Sequence, residues 1–166
     1  NTLAVFDELL NSTNCKVNKY KGVNYPSAAQ YFADQSNGTY RPQFDIFGPV
    51  TLSKKYAHYG RDLYGYDEGM DSLAADAVVE ACKLANEQFP QLNFADYDTD
   101  KDGYVDFVYV IYAGKGQADG GDANTIWPHN WDLISALYFG YSYQKEYYAH
   151  SDSVYKLPEI DGKLLN

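Results

Sequence analysis

Asp96-Tyr97-Asp98-Thr99-Asp100-Lys101-Asp102-Gly103-Tyr104-Val105-Asp106 carries a carboxylate at every second residue from 96 to 102 and then turns on a glycine. That spacing suits a hard cation. Calcium takes six to eight oxygen ligands, and a loop that alternates Asp with small or solvated residues can wrap several of them around one ion. Counted as a calcium loop, Asp98, Asp100 and Asp102 take positions one, three and five, Gly103 position six, the Tyr104 carbonyl position seven and Asp106 position nine. Asp96 stands at the margin as an alternative ligand. Position twelve departs from an EF-hand, because Tyr109, inside an apolar run, stands where a bidentate Glu belongs. The remaining ligands must come from elsewhere, or the site is weaker. Five acids against one lysine in eleven residues repel each other strongly unless a cation neutralises them, so the reading assigns the loop a structural calcium ion.

Outward from the loop, the pattern predicts a helix on one side and a strand on the other. Leu73, Ala74, Ala77, Val78, Ala81, Leu84, Ala85 and Phe89 draw one apolar stripe at helical spacing, with Asp71 or Ser72 as the cap and Pro90 as the stop. Val105 to Ala113 is rich in β-branched and aromatic residues and predicts a buried interior strand. Helix, metal loop and strand in that order predict an α/β (α+β) fold, a mixed sheet with packed helices. Phe44 to Leu52 predicts a further strand of that sheet, interrupted by Gly48-Pro49. Thr2 to Leu10 has apolar residues near the helical period, and Tyr25-Pro26-Ser27 opens a second helix that Asn37-Gly38 stops. Beyond the central strand comes a glycine-rich loop, and then Phe139, Tyr141, Tyr143 and parts of Glu146 to Tyr155 alternate as polar-faced strands.

At 166 residues, with 45% hydrophobic composition, the chain has the length of one domain or part of one. The formal charge of −10 excludes nucleic acid and anionic membrane as partners, since both demand lysine and arginine on the binding face. No apolar run is long enough to cross a bilayer. Cys15 and Cys82 are too few to read a compartment, and Cys82 falls within the predicted helix as a small core residue. Eighteen tyrosines, little lysine and a calcium loop point to a secreted or cell-surface protein, where free calcium is plentiful.

The three histidines, His58, His129 and His150, lie in different segments, and none is paired at helical spacing with another ligand. There is no Gly-x-Ser-x-Gly elbow, and Gly114-Lys115-Gly116 lacks the ending of a phosphate loop. Residue chemistry alone gives a calcium-stabilised extracellular domain.

A succession of motifs adds to this. Asp98-x-Asp100-x-Asp102-Gly103, the run through Tyr112-Ala113-Gly114, Gly116-Gln117-Ala118, Gly120-Gly121 and Thr125-Ile126-Trp127-Pro128-His129-Asn130-Trp131 resemble the immune-inhibitor-A-like family of secreted bacterial zinc metallopeptidases, peptidase family M-six. Upstream, Ser27-Ala28-Ala29-Gln30-Tyr31-Phe32, Gln35-Ser36-Asn37-Gly38 and Phe44-Asp45-Ile46-Phe47-Gly48-Pro49-Val50 agree with it. The resemblance covers most of Thr2 to Trp131. It implies the upper subdomain of a zincin, a bacterial secreted source, and a substrate cleft to which Trp127, His129 and Trp131 would contribute.

The departure is the zinc motif. Members of the family carry His-Glu-x-x-His, two histidines on one helical face for zinc and a glutamate as general base, and this chain has no such run. The resemblance therefore implies the amino-terminal part of a catalytic domain ending before the active-site helix, or else an inactive descendant. On the first account, zinc belongs only to the parent protein. Its partners are then a protein or peptide substrate reached through the parent and the carboxyl-terminal remainder of the catalytic domain. The alternative is a non-catalytic calcium-stabilised module whose exposed aromatic residues bind carbohydrate or protein.

Overall fold

In the computed structural model, which describes residues 2–62, 71–138 and 157–165, the chain divides into two compact units, up to Pro49 and from Val50 onward. The first unit opens with helix α1 (Thr2–Asn11), whose Leu3, Phe6, Leu9 and Leu10 are half-buried, as the apolar spacing predicts. A short antiparallel hairpin follows, β1 (Lys19–Tyr20) against β2 (Val23–Asn24). Helix α2 (Ala28–Gln35) starts on Ser27, whose hydroxyl accepts the Gln30 N–H at 3.1 Å and donates to the Ser12 carbonyl at 2.5 Å. Gly38, in the left-handed region, ends it by donating to the Ala33 carbonyl.

The predicted strand from Phe44 to Leu52 does not form. The Phe44 N–H and C=O, which a strand would pair with a neighbouring backbone, both go to the Asn11 side chain at 2.8 Å. One amide side chain satisfies both backbone groups of Phe44, so the predicted strand has no free ladder positions at its first residue.

The second unit holds the longer helix. Its preface is α3 (Tyr56–Tyr59), and α4 spans Ala74–Gln88 with Leu73 and Phe89 as its flanking residues. The boundaries match the sequence pattern, but the cap does not. Leu73 occupies the N-cap without any side-chain hydrogen bond, while Ser72 meets Arg61 and Asp71 turns elsewhere. The buried face is also rotated from the predicted stripe: Ala77, Val79, Ala81 and Cys82 are buried, whereas Val78 and Leu84 are only half so. Tyr59, Leu73 and Ala77 form a core cluster with Leu52 and Ile126 packed against it. The Tyr59 hydroxyl donates to Glu80 at 2.5 Å, joining α3 to α4. Burial pushes the Cys82 thiol up to about 12, so it packs as a neutral group.

Among the described residues, the sheet of this unit has three strands in the order β3 (Tyr104–Val105), β5 (Lys163–Leu165), β4 (Glu159–Ile160). β3 runs parallel to β5, with Tyr104 opposite Leu164 and Val105 opposite Leu165, and β4 is antiparallel to β5. This mixed sheet among helices is the α/β class expected. Its extent is not. The interior strand predicted over Val105 to Ala113 stops after Val105, and Phe107, Tyr109 and Ile111 are 63%, 70% and 53% exposed. Strand propensity records how a side chain packs on a pleated, half-covered surface, and among the described residues no second ladder continues past 105 to provide one. The predicted strands of Phe139 to Tyr155 lie outside the described residues. No described helix is long and apolar enough to cross a membrane.

Candidate metal centre

The acidic loop is built by its own backbone. A 3₁₀ turn over Phe94–Tyr97 delivers the chain to Asp98, and left-handed conformations at Lys101 and Gly103 then fold it back toward β3. Gly103, at φ 95°, takes a conformation that a side chain would strain. Asp98 fills the centre of this bend. Its side chain has no solvent exposure; Oδ1 accepts the Asp102 N–H at 3.0 Å and Oδ2 the Gly103 N–H at 3.1 Å. Carboxylate oxygens of Asp98, Asp100 and Asp106 lie within 4.8 Å of one another. Three convergent hard oxygens on a tight turn have the chemistry of a calcium site rather than of a soft-metal site. Asp106 is oriented by Thr99, whose N–H donates to Oδ2 at 3.1 Å and whose hydroxyl donates to the same oxygen.

Of the other acids named from sequence, Asp102 and Asp96 fall outside this trio. Asp102 spends its Oδ1 on the Tyr104 N–H at 2.9 Å, which shapes the turn into β3. Tyr104 itself is half-buried in the sheet opposite Leu164. Asp96 accepts from the Asn93 side chain at 2.9 Å on the exposed face of the 3₁₀ turn.

Sequence reasoning missed the loop's cation. Lys163 on β5 places its ammonium 2.5 Å from Asp98 Oδ2, across 65 residues of chain. The Lys163 hydrogen bond is the chief reason the Asp98 carboxyl is held below its ordinary range, with the Gly103 and Asp102 N–H groups adding to it against the opposing effect of desolvation. Lys163 was findable in part. Ile160-Asp161-Gly162-Lys163 contains the Asp-Gly pair that marks a tight hairpin, and both turn residues do adopt positive φ. Asp161 then docks that hairpin by accepting the Phe94 N–H at 2.9 Å.

A second buried carboxylate organises the aromatic segment. Asp71, also without side-chain exposure, accepts the Trp127 N–H at 2.8 Å and meets His129 Nε2 at 2.6 Å, both through Oδ2. Among the described residues, Asp71 Oδ1 and the Trp127 indole N–H are buried and find no hydrogen-bond partner. Close packing brings the segments together here: a Cβ at Gly60 would come within 2.7 Å of the Asn124 carbonyl oxygen. The His129 and Trp131 rings stack at 6.5 Å, and Trp131 is 44% exposed. Thus two of the three residues named from sequence, Trp127 and His129, are held by one acid that the sequence pattern offers as a helix cap, and Trp131 stacks on the second of them.

The family model described as "Immune inhibitor A peptidase M6, catalytic domain" matches residues 3–155. The chain belongs to that family. Relatives of this M6 chain include "Immune inhibitor A" of Bacillus thuringiensis subsp. alesti, 32% identical over 119 residues, which cover 63% of the chain and 17% of the relative. Another is "Pre-pro-metalloprotease PrtV" of Vibrio cholerae serotype O1 (strain M66-2), 30% identical over 129 residues, covering 68% of the chain and 14% of the relative. The M6 chain therefore spans less than a fifth of the length of these curated relatives. No solved structure matches it.

The family implies a metal, and zinc requires nitrogen or sulfur ligands that the described residues do not gather. His58 is exposed and edge-on to Tyr59, His129 is bound to Asp71, and His150 lies outside the described residues. Among the described residues only Asp98, Asp100 and Asp106 form a group able to hold an ion. Those oxygens fit calcium and not a peptidase zinc.

Proposed function

We propose that this chain is a structural portion of the catalytic domain of a secreted, calcium-stabilised zinc metalloendopeptidase. The observation that carries this reading is the family match over residues 3–155 together with three convergent carboxylates on the loop that enters β3. In this reading the loop takes up one calcium ion through Asp98, Asp100 and Asp106. Trp127, His129 and Trp131 contribute to the wall of a cleft for protein or peptide substrates. The zinc histidines and the general-base glutamate belong to another part of the parent polypeptide, since no His-Glu-x-x-His occurs among these 166 residues. The chain alone then hydrolyses no peptide. A carbohydrate- or protein-binding module draws no support from the comparisons.

The test is cleavage of denatured casein by the chain and by its full parent protein, each with added zinc and with chelator. Chelator-sensitive activity should belong to the parent alone. Activity in the purified chain would mean that a catalytic centre lies within these residues, and an inactive, correctly processed parent would remove the peptidase reading.

A further inference from the structure

We infer that Lys163 is a built-in cation of the acidic loop, and that a divalent ion entering the loop has to displace its ammonium from Asp98. This rests on the calcium reading of the same loop and adds how that site is regulated. The starting point is charge. The loop gathers five carboxylates against Lys101, and the one that is fully buried, Asp98, already holds a positive group at 2.5 Å. That group comes from outside the loop.

Its position is set by the β4–β5 hairpin. Leu164 and Leu165 are fixed opposite Tyr104 and Val105, the Leu164 N–H donates to the Gly103 carbonyl at 3.0 Å, and Asp161 at the hairpin turn accepts the Phe94 N–H. Lys163 is therefore delivered to Asp98 by a strand hydrogen-bonded to the metal loop itself. Asp98 Oδ2 accepts both the ammonium and the Gly103 N–H. A calcium ion drawing on Asp98, Asp100 and Asp106 would sit within a few ångströms of a like charge, and such proximity is unfavourable in a partly buried site. The Lys163 side chain is 26% exposed, so it has a route to water when it leaves. Lys163 thus closes the loop with an internal salt bridge, and calcium exchanges one cation for another.

Three proteins test this: the chain as it stands, Lys163→Met and Lys163→Arg, each titrated calorimetrically with calcium chloride after chelator treatment and melted in chelator. Lys163→Met should bind calcium about tenfold more tightly, because a competing charge is gone. It should also melt at a lower temperature in chelator. Lys163→Arg should keep the weaker affinity. In the unmodified chain, the Lys163 side-chain amine resonance should shift toward that of a solvated lysine as calcium is added, a readout that does not depend on any variant folding. Calcium binding with equal affinity to all three, or an unmoved Lys163 resonance with calcium bound, overturns the exchange while leaving the calcium site standing. No calcium binding in any of the three overturns the site and the exchange together.

Discussion

Asp98 and Asp71 are both fully buried aspartates, and each is met by one basic side chain, yet they are built in opposite ways. Asp98 draws two of its three partners from residues 102 and 103, within five positions of itself. Among the described residues, the Asp71 side chain meets residues 127 and 129, more than fifty positions away. The first is therefore a local turn whose shape is written into one short stretch, with a distant lysine added to it. The second exists only when two remote segments have packed. A further difference follows from the first: both Asp98 oxygens are hydrogen-bonded, whereas Asp71 Oδ1 finds no partner among the described residues. Local carboxylates can be ringed by consecutive N–H groups, but a carboxylate at a long-range junction receives only the donors that packing happens to present.

The comparison breaks most readily at Asp71. In Asp71→Ala, the Trp127 N–H and His129 lose their shared acceptor at a buried junction, and leaving one half of such a pair unmet costs about 3 kcal/mol. Denaturant unfolding should show that loss with calcium present or absent. A change below about 1 kcal/mol would mean that the junction is held by the Tyr59, Leu73 and Ala77 cluster alone.

Removing calcium should affect the other carboxylate only. A ligand specific to the folded state stabilises by about 2.7 kcal/mol at a hundredfold excess over its dissociation constant, which is roughly 5–10 °C for a chain of this size. Melts in calcium and in chelator should differ by that much, and identical melts of demonstrably metal-free protein would dispose of the site. Acid should act in the same place. Because the folded Asp98 carboxyl titrates below its ordinary value, the stability it contributes is complete above about pH 4 and is lost as the pH falls through the lower folded value. The calcium-dependent difference should vanish over the same acid range, which melts at stepped pH will show.

Legibility in the sequence follows the same division. The helices α1, α2 and α4 and the turn at Gly103 could be read, because each depends on residue spacing within a dozen positions. The strand at β3 could be read only at its start: of the predicted run from Val105 to Ala113, Val105 pairs and, among the described residues, the next eight do not. The strand at Phe44 was misread since Asn11, 33 residues away, takes its backbone groups. Asp71 was misread as a cap because its real partners leave no local trace. Lys163 stood beside a readable Asp-Gly turn, but nothing near it in the chain says that it reaches Asp98.

Asp102 sharpens the local side of the comparison. By spacing it ranks with Asp98 and Asp100 as a ligand, but it stands outside the convergent trio and serves the Tyr104 N–H. Asp102→Asn keeps an amide oxygen for that hydrogen bond, so calcium affinity should fall by no more than about threefold, from lost charge alone. Asp100→Asn removes a ligand of the trio and should cost about tenfold or more. Calorimetric titrations giving equal losses would restore Asp102 to the coordination shell.

The smallest effect is expected where the local pattern runs on without a partner. Tyr109 lies four residues beyond the last paired position of β3 and is 70% exposed, although its surroundings in sequence are those of an interior strand. Were it in the interior, Tyr109→Ser would remove a large buried ring and cost about 3 kcal/mol or more. At an exposed position away from caps and special conformations, the same change stays within about 0.5 kcal/mol. The measurement must use m-values as well as midpoints, since exposing less apolar surface in the unfolded state would also move the midpoint. A loss under about 0.5 kcal/mol with unchanged m supports the exposed placement. A loss of several kcal/mol means that Tyr109 is covered in solution, and the run from Phe107 to Ile111 then behaves like Asp71, with its partners supplied from a distance.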